Sequence, residues 1–185
     1  ETLEWINTFD KNDTLLDIGA NIGLYSLYAA YKNHKVIAIE PDALNYALLN
    51  LNIRANNFSN LIVPFSVAIH DKTKFSNFNI SSYVWGGALN SFDNLLDFEN
   101  NEFIPVHYQG VFGISLDKFV KMLNFNPNHI KIDVDGNERI ILEGSKKTLS
   151  SRDLKTLLIE LNRKDPHYES TIDLICKTGF ILIKK

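Results

Sequence analysis

One cysteine, Cys176, stands in a chain of 185 residues. A lone thiol cannot close an internal disulfide, which fits a reducing, cytoplasmic compartment. No Cys/His spacing of the zinc-site kind occurs either. Cys176 lies in the apolar helical stretch IDLIC and is expected to be a buried core thiol. Excess positive charge is also lacking. Nineteen Lys and Arg against 22 Asp and Glu leave a net charge of −3, and the basic residues are scattered. Without a positive field for phosphate backbones, nucleic acid is not an expected partner. No apolar run approaches the roughly 20 residues of a membrane span. Internal repeats and low-complexity linkers are absent. The chain opens on Glu1 rather than Met and closes on a strand-like run, so it reads as an excised domain with a C-terminal truncation.

What is present is a hydrophobic fraction of 45%, enough for one domain, residues 1–185, with a real core. Short apolar runs alternate with helix-like segments, the pattern of an α/β fold: a mostly parallel central sheet with helices on both faces. Strands are expected at Thr14–Ile18, Val36–Glu40, Leu61–Ile69, His129–Val134, Thr156–Leu161 and Phe180–Lys185. Their unbroken apolar character suits strands buried on both sides. Helices are expected at Ile22–Lys32, Ala43–Asn56, Leu116–Leu123, Glu138–Leu149 and Tyr168–Lys177, with Leu3–Phe9 as a short leading helix or turn. Asp42 and Ser115 stand where helix-capping side chains belong.

Residues 71–114 break the alternation. Phe75, Phe78, Tyr83, Trp85, Phe92, Phe103, Tyr108 and Phe112 are mixed there with Asn, Ser and Gly, without helical period. Val106–Val111 has strand character, so this insertion is expected to hold a hairpin or irregular strand pair. An aromatic-rich insertion of this length is a functional lid or a misread element. Most of its aromatics are expected in the core, with Trp85, beside Gly86-Gly87, reaching the pocket.

In an open parallel sheet the ligand sits beyond the carboxyl ends of the strands, where strand order reverses. The turn after Thr14–Ile18 is therefore the expected binding place. Gly19 and Gly23 permit close backbone approach there, and the following helix offers unpaired N–H groups. Glu40 ends the next strand, where an acid can accept both hydroxyls of a ribose. The turn reads G-A-N-I-G, so the G-x-G-x-x-G of dinucleotide sites is missing. Asp17, just before the first glycine, disfavours an anion and favours a ligand with ammonium and sulfonium groups, the charge pattern of S-adenosylmethionine.

Three stretches resemble the FkbM-family methyltransferases, a Rossmann-like branch of the class I S-adenosylmethionine-dependent enzymes: DIGANIG (17–23), IEPD (39–42) and IKIDVDGNE (130–138). SLDKF (115–119) and LLIEL (157–161) match in kind and order, whereas 71–114 matches only loosely. Asp135 stands where the family more often has Glu, and His70 where it more often has Ser. The resemblance implies cofactor contacts at Asp17, Gly19, Asn21, Gly23, Glu40 and Asp42, with the backbone around Ala68 bordering the adenine. His70 is read as a loop residue.

A hydroxyl is a poor nucleophile, so methyl transfer to oxygen benefits from a group that draws off its proton. Asp133 ends an apolar strand, where an acid is costly unless paired or solvated in a cleft, and it ranks first as base or orienting group. Glu160 ranks second and Asp135 third, although Asp135-Gly136-Asn137 is also a turn signal. Glu138 divides equally between a helix-start and a site role. With Asn162 nearby, these carboxylates could hold a hard divalent cation, a weaker reading because no ligand spacing is diagnostic. The expected function is O-methylation of a small molecule, a sugar, or a glycolipid or polyketide-type precursor. A nicotinamide-dependent oxidoreductase and an inactive, partner-binding methyltransferase-like domain are the alternatives.

Overall fold

The unbroken apolar runs do form parallel strands, and the computed structural model describes residues 1–96 and 101–183. Its strands are β1 (Thr14–Ile18), β2 (Lys35–Ile39), β3 (Ile62–Phe65), β4 (Ala68–His70), β5 (Lys74–Ile80), β6 (Ser91–Phe92), β7 (His107–Ser115), β8 (His129–Ile132) and β9 (Thr156–Ile159). Its helices are α1 (Thr2–Ile6), α2 (Leu24–Tyr31), α3 (Ala43–Ala55), α4 (Leu116–Leu123), α5 (Glu138–Glu143), α6 (Lys146–Leu149) and α7 (Tyr168–Cys176). The main sheet is parallel throughout, in the order β3-β2-β1-β8-β9. Strand order reverses at β1, between β2 and β8, which opens a crevice at the carboxyl ends of these strands.

Side chains alternate across the sheet and so serve two cores. Leu16, Ile18, Ile37, Ile39, Ile130 and Ile132 face α4 and α5, packing on Leu116, Phe119, Ile141 and Leu142. Leu15, Val36 and Ala38 face the other way, onto Ala29, Ala30, Leu49 and Ile53 of α2 and α3. Asp17 and Lys131 fall on this second face by the same alternation. Among the described residues no helix is long and apolar enough to cross a membrane.

At the amino ends of the strands a polar cluster joins α1 to the sheet. The Trp5 indole N–H donates to Thr156 Oγ1 at 2.9 Å, and His129 Nδ1 lies 2.7 Å from the same oxygen. His129 Nε2 is 2.9 Å from Asp13 Oδ2, and Phe9 stacks on the imidazole at 3.5 Å. Burial holds His129 below its ordinary pKa despite Asp13.

Several expectations need correction. The long third strand splits: β3 stays at the edge of the main sheet, and β4 leaves it to pair with β7. Pro64 lacks an N–H to donate, which suits an edge strand. β4, β7, β5 and β6 form a second sheet, in which β5 and β7 make the expected antiparallel pair of the insertion. Among its described aromatics only Phe78 and Phe92 are buried; Phe75 and Tyr108 are exposed on the open face of this small sheet, and Tyr83 and Trp85 are exposed in the segment between β5 and β6. Glu138–Leu149 is two helices, broken at Gly144-Ser145. Ser115 makes no capping bond. Asp117 does that work instead for α6, accepting from the Lys147 and Thr148 amides at 3.0 and 2.8 Å. Phe180–Ile183 is not a strand, and the last two residues of that expectation lie outside the described residues. Cys176 is exposed, because α7 turns Leu174 and Ile175 to the core and its last residue outward.

The glycine at this break, Gly144, has a steric reason: a Cβ there would lie 2.4 Å from the His70 carbonyl oxygen. Gly144→Ala is therefore expected to cost about 1–3 kcal/mol, the range for overpacking a filled site, read as a lower urea midpoint with unchanged slope.

Candidate functional site

The turn after β1 is shaped by its backbone. Gly19 has φ +79°, Asn21 +51° and Gly23 +97°. The Gly19 and Ala20 amides both donate to the Ile39 carbonyl, at 3.0 and 2.9 Å. A Cβ on Gly19 would lie 1.8 Å from the Asp133 carbonyl oxygen, so the loop runs directly against the end of β8. Beside it, Glu40 is buried, accepting from the Asn21 amide at 2.7 Å and the Asp42 amide at 2.8 Å. Burial pushes its carboxyl up to about 7, although both hydrogen bonds pull the other way. Asp42 caps α3, accepting from the Leu44 and Asn45 amides at 2.8 and 2.9 Å, as its position in sequence indicated.

Asp17 does not face the crevice. It is fully buried on the α2 side, accepting from the Ser26 hydroxyl at 2.7 Å, and its second oxygen lies 3.7 Å from the Lys131 ammonium. That ammonium donates to Asp133 at 2.8 Å and sits 5.0 Å from the Tyr25 ring centre. Burial alone would lower the Lys131 pKa, but Asp17 and Asp133 more than offset it and raise it. Lys131 thus binds the floor of the crevice to its wall.

Asp133 stands where two cavities meet. One, of about 250 Å³, is lined by Asp133, Asp135, Glu138, Arg139, Glu160 and Tyr168, among others. The other, of about 70 Å³, lies over the glycine turn, between Gly19, Asn21, Glu40, Gly87, Asp133 and Asp135. The negative charge of Asp133, with burial, raises the Glu160 pKa. Burial likewise raises Asp135, whose Oδ2 accepts from the Leu89 amide at 2.7 Å. Glu138 accepts from the Val134 amide at 3.3 Å and the Gly136 amide at 3.1 Å, so its carboxylate closes the turn before α5. Its raised pKa also comes from burial. Among the described residues no group of three or more His, Cys, Asp or Glu side chains is arranged to hold a metal ion.

Gly19, Asn21, Glu40, Asp133, Asp135 and Glu160 are therefore brought to one crevice. Asp17 and Asp42 lie beneath it in structural roles. Gly23, whose Cβ would meet Leu49 at 2.6 Å, packs α2 onto α3. Ala68 is buried in the core of the second sheet with Phe78, Ile80, Phe92 and Val111, and lines neither cavity. Trp85 is exposed and lines neither cavity. His70, read as a loop residue, is instead the buried last residue of β4 in the second sheet, with Nδ1 2.6 Å from Asp71. Sequence reasoning missed Lys131, whose only signal was a cation inside an apolar strand. It also missed Gln109, which bonds the Pro41 carbonyl at 2.7 Å and the Ala43 amide at 2.9 Å, fastening the second sheet to the Glu40 loop.

The family model described as the methyltransferase FkbM domain matches residues 17–182. The chain belongs to the FkbM methyltransferase family. The fold is similar to that of the FkbM methyltransferase of Methylobacillus flagellatus KT, with TM-score 0.57 at 21% identity, covering 92% of this chain and 37% of that one. It is similar as well to a precorrin-6y C5,15-methyltransferase of Geobacter metallireducens GS-15, with TM-score 0.56 at 11% identity, covering 97% and 69%. In sequence, 52 residues are 38% identical to the uncharacterized protein MJ1452 of Methanocaldococcus jannaschii, 28% of this chain and 20% of that protein. The chain thus spans about a fifth of that curated relative and little more than a third of the FkbM structure. The Rossmann-like class I methyltransferase fold stands, and the oxidoreductase alternative loses its ground.

Removing Lys131 would leave Asp17 buried without a cation. Lys131→Met is expected to destabilise this FkbM domain by about 3–5 kcal/mol, and Asp17→Asn in the same chain to recover much of it, measured by chemical denaturation.

Proposed function

We propose that this FkbM domain is an S-adenosylmethionine-dependent O-methyltransferase acting on a hydroxyl of a small-molecule or saccharide acceptor. The observation that carries the reading is the position of Asp133: it is shared by the cavity over the glycine turn and the larger cavity bounded by Glu160. A group on the first side and a hydroxyl on the second would meet across it.

The residues of the turn fit the cofactor. Glu40 is a buried acceptor at the end of β2, suited to two ribose hydroxyls, and Gly19 leaves no side chain between the turn and β8. When bound, S-adenosylmethionine supplies an electrophilic methyl group on a sulfonium. Lys131 donates to Asp133 at 2.8 Å and fixes its side chain beside the larger cavity. Glu160, its pKa raised by that neighbouring charge, is the group best poised to take the hydroxyl proton as the oxygen–carbon bond forms. Holding nucleophile and methyl in line across the shared wall contributes the larger part of the acceleration. Arg139, Arg163 and Tyr168 on the larger cavity offer hydrogen bonds to a polyhydroxylated acceptor.

Glu40 ties binding to pH. Its folded pKa lies above the unfolded value, so the stability it contributes is complete below about pH 4.5 and is lost as pH rises through about 7. The ionised form is the stronger acceptor for ribose hydroxyls, so S-adenosylhomocysteine binding should tighten between pH 6 and 8. Calorimetry at both pH values checks this, and Glu40→Gln should flatten the dependence. Glu160→Gln should keep that binding within about twofold and lower turnover by about 10²-fold or more once an acceptor is found, measured as transfer of labelled methyl. Failure of S-adenosylhomocysteine to bind would overturn the reading.

A further inference from the structure

The segment 82–90, between β5 and β6, crosses the mouth of the glycine-turn cavity and is tied there at three places. The Gly86 amide donates to Asn45 Oδ1 at 2.8 Å. The Gly87 carbonyl accepts from Asn45 Nδ2 at 2.8 Å and from Asn21 Nδ2 at 3.1 Å. The Leu89 amide donates to Asp135 Oδ2 at 2.7 Å. Asn45 is only 2% exposed and commits both ends of its amide to this segment. These are built contacts rather than a loose surface loop.

The space left beneath the segment is about 70 Å³. Cavities that hold nucleoside-sized ligands measure roughly 300 Å³ or more. The crevice has the acceptors for such a ligand but lacks the room beneath this segment, and the Gly87 carbonyl takes up the Asn21 side-chain amide. Leu89, meanwhile, is held at φ +62°, in the left-handed region that a branched side chain resists. The segment is therefore fastened by hydrogen bonds and strained in its own backbone, the combination expected of an element with two positions.

We propose that residues 82–90 form an occluding strap that competes with the cofactor for the crevice. The proposal rests on the cofactor reading above. With the strap down, Asn21 serves Gly87. When the cofactor enters, the strap lifts, Asn21 is released to the ligand, and Leu89 leaves its strained conformation. The same movement frees Asp135 on the wall of the larger cavity, so cofactor entry and exposure of an acceptor-side carboxylate become one event. The apparent cofactor affinity is then the intrinsic affinity multiplied by the fraction of molecules with the strap open.

The strap carries its own reporter. Trp85 is one of the two tryptophans, and the other, Trp5, can be replaced by Phe. In the full chain carrying Trp5→Phe, S-adenosylhomocysteine is titrated by calorimetry while Trp85 emission is followed. Asn45→Ala and Leu89→Asn are added singly, and circular dichroism confirms that each variant is folded. Asn45→Ala removes two strap bonds and should bind about tenfold tighter, a shift of about 1.4 kcal/mol. Leu89→Asn relieves the strain, stabilises the closed strap and should bind about threefold weaker. Trp85 emission should change on saturation in all three proteins. Any other order of the three affinities, or a silent Trp85 at saturation, overturns the strap while leaving the cofactor reading intact. Absence of binding in every variant at millimolar ligand overturns the cofactor reading and the strap with it.

Discussion

The ammonium of Lys131 is the interaction on which the crevice depends. It lies on the α2 face of β8, between the Asp17 carboxylate of β1 and that of Asp133 just beyond its own strand. Strands β1 and β8 are the pair at which strand order reverses, so this one cation joins the two sides of the switch point. A carboxylate as deeply buried as Asp17 is tolerable only with such a partner. Its charge is consumed by the fold, and it offers little to a ligand's ammonium group. Asp133, half-buried, accepts a hydrogen bond from the same ammonium at 2.8 Å. Its charge in turn raises Glu160. One lysine thus holds two carboxylates, Asp133 at 2.8 Å and Asp17 at 3.7 Å, and Glu160 lies on the same cavity wall as Asp133.

The second sheet is fitted to the first at points that matter for the crevice. Gln109 of β7 clasps the Pro41–Ala43 backbone, so the loop that places Glu40 is held from the side as well as by its own strand. The segment between β5 and β6 reaches the glycine turn and the Asp135 turn together. The insertion is therefore more than an acceptor-side decoration, since it touches both halves of the site.

The main sheet was legible because its signal is local. Leu15, Leu16 and Ile18 form a short apolar run interrupted only by Asp17 and read as a buried strand, and Asp42 could be read as a cap from its place before an apolar helix. The carboxyl-end residues Glu40, Asp133 and Glu160 follow once the strands are found. Side-chain direction was harder. Alternation along β1 turns Asp17 to the same face as Leu15, towards Ser26, and a one-residue difference separates a ligand contact from a buried anchor. The departure of the chain from the main sheet at Phe65 was illegible, because the partner of Ala68–His70 is β7, more than 40 residues further on. Cys176 failed for a related reason: the apolar run IDLIC identified a helix, but only the tertiary arrangement decides which side of its last turn meets solvent.

The Trp5 indole reaches across the sheet to Thr156, the first residue of the strand that ends one position before Glu160. β9 is an edge strand, paired on one side only among the described residues. Its amino end is therefore held twice, by the ladder to β8, which sets its register, and by the bond from Trp5. The leading helix thus serves as a clasp on β9, fastened at the opposite end of the strand from Glu160.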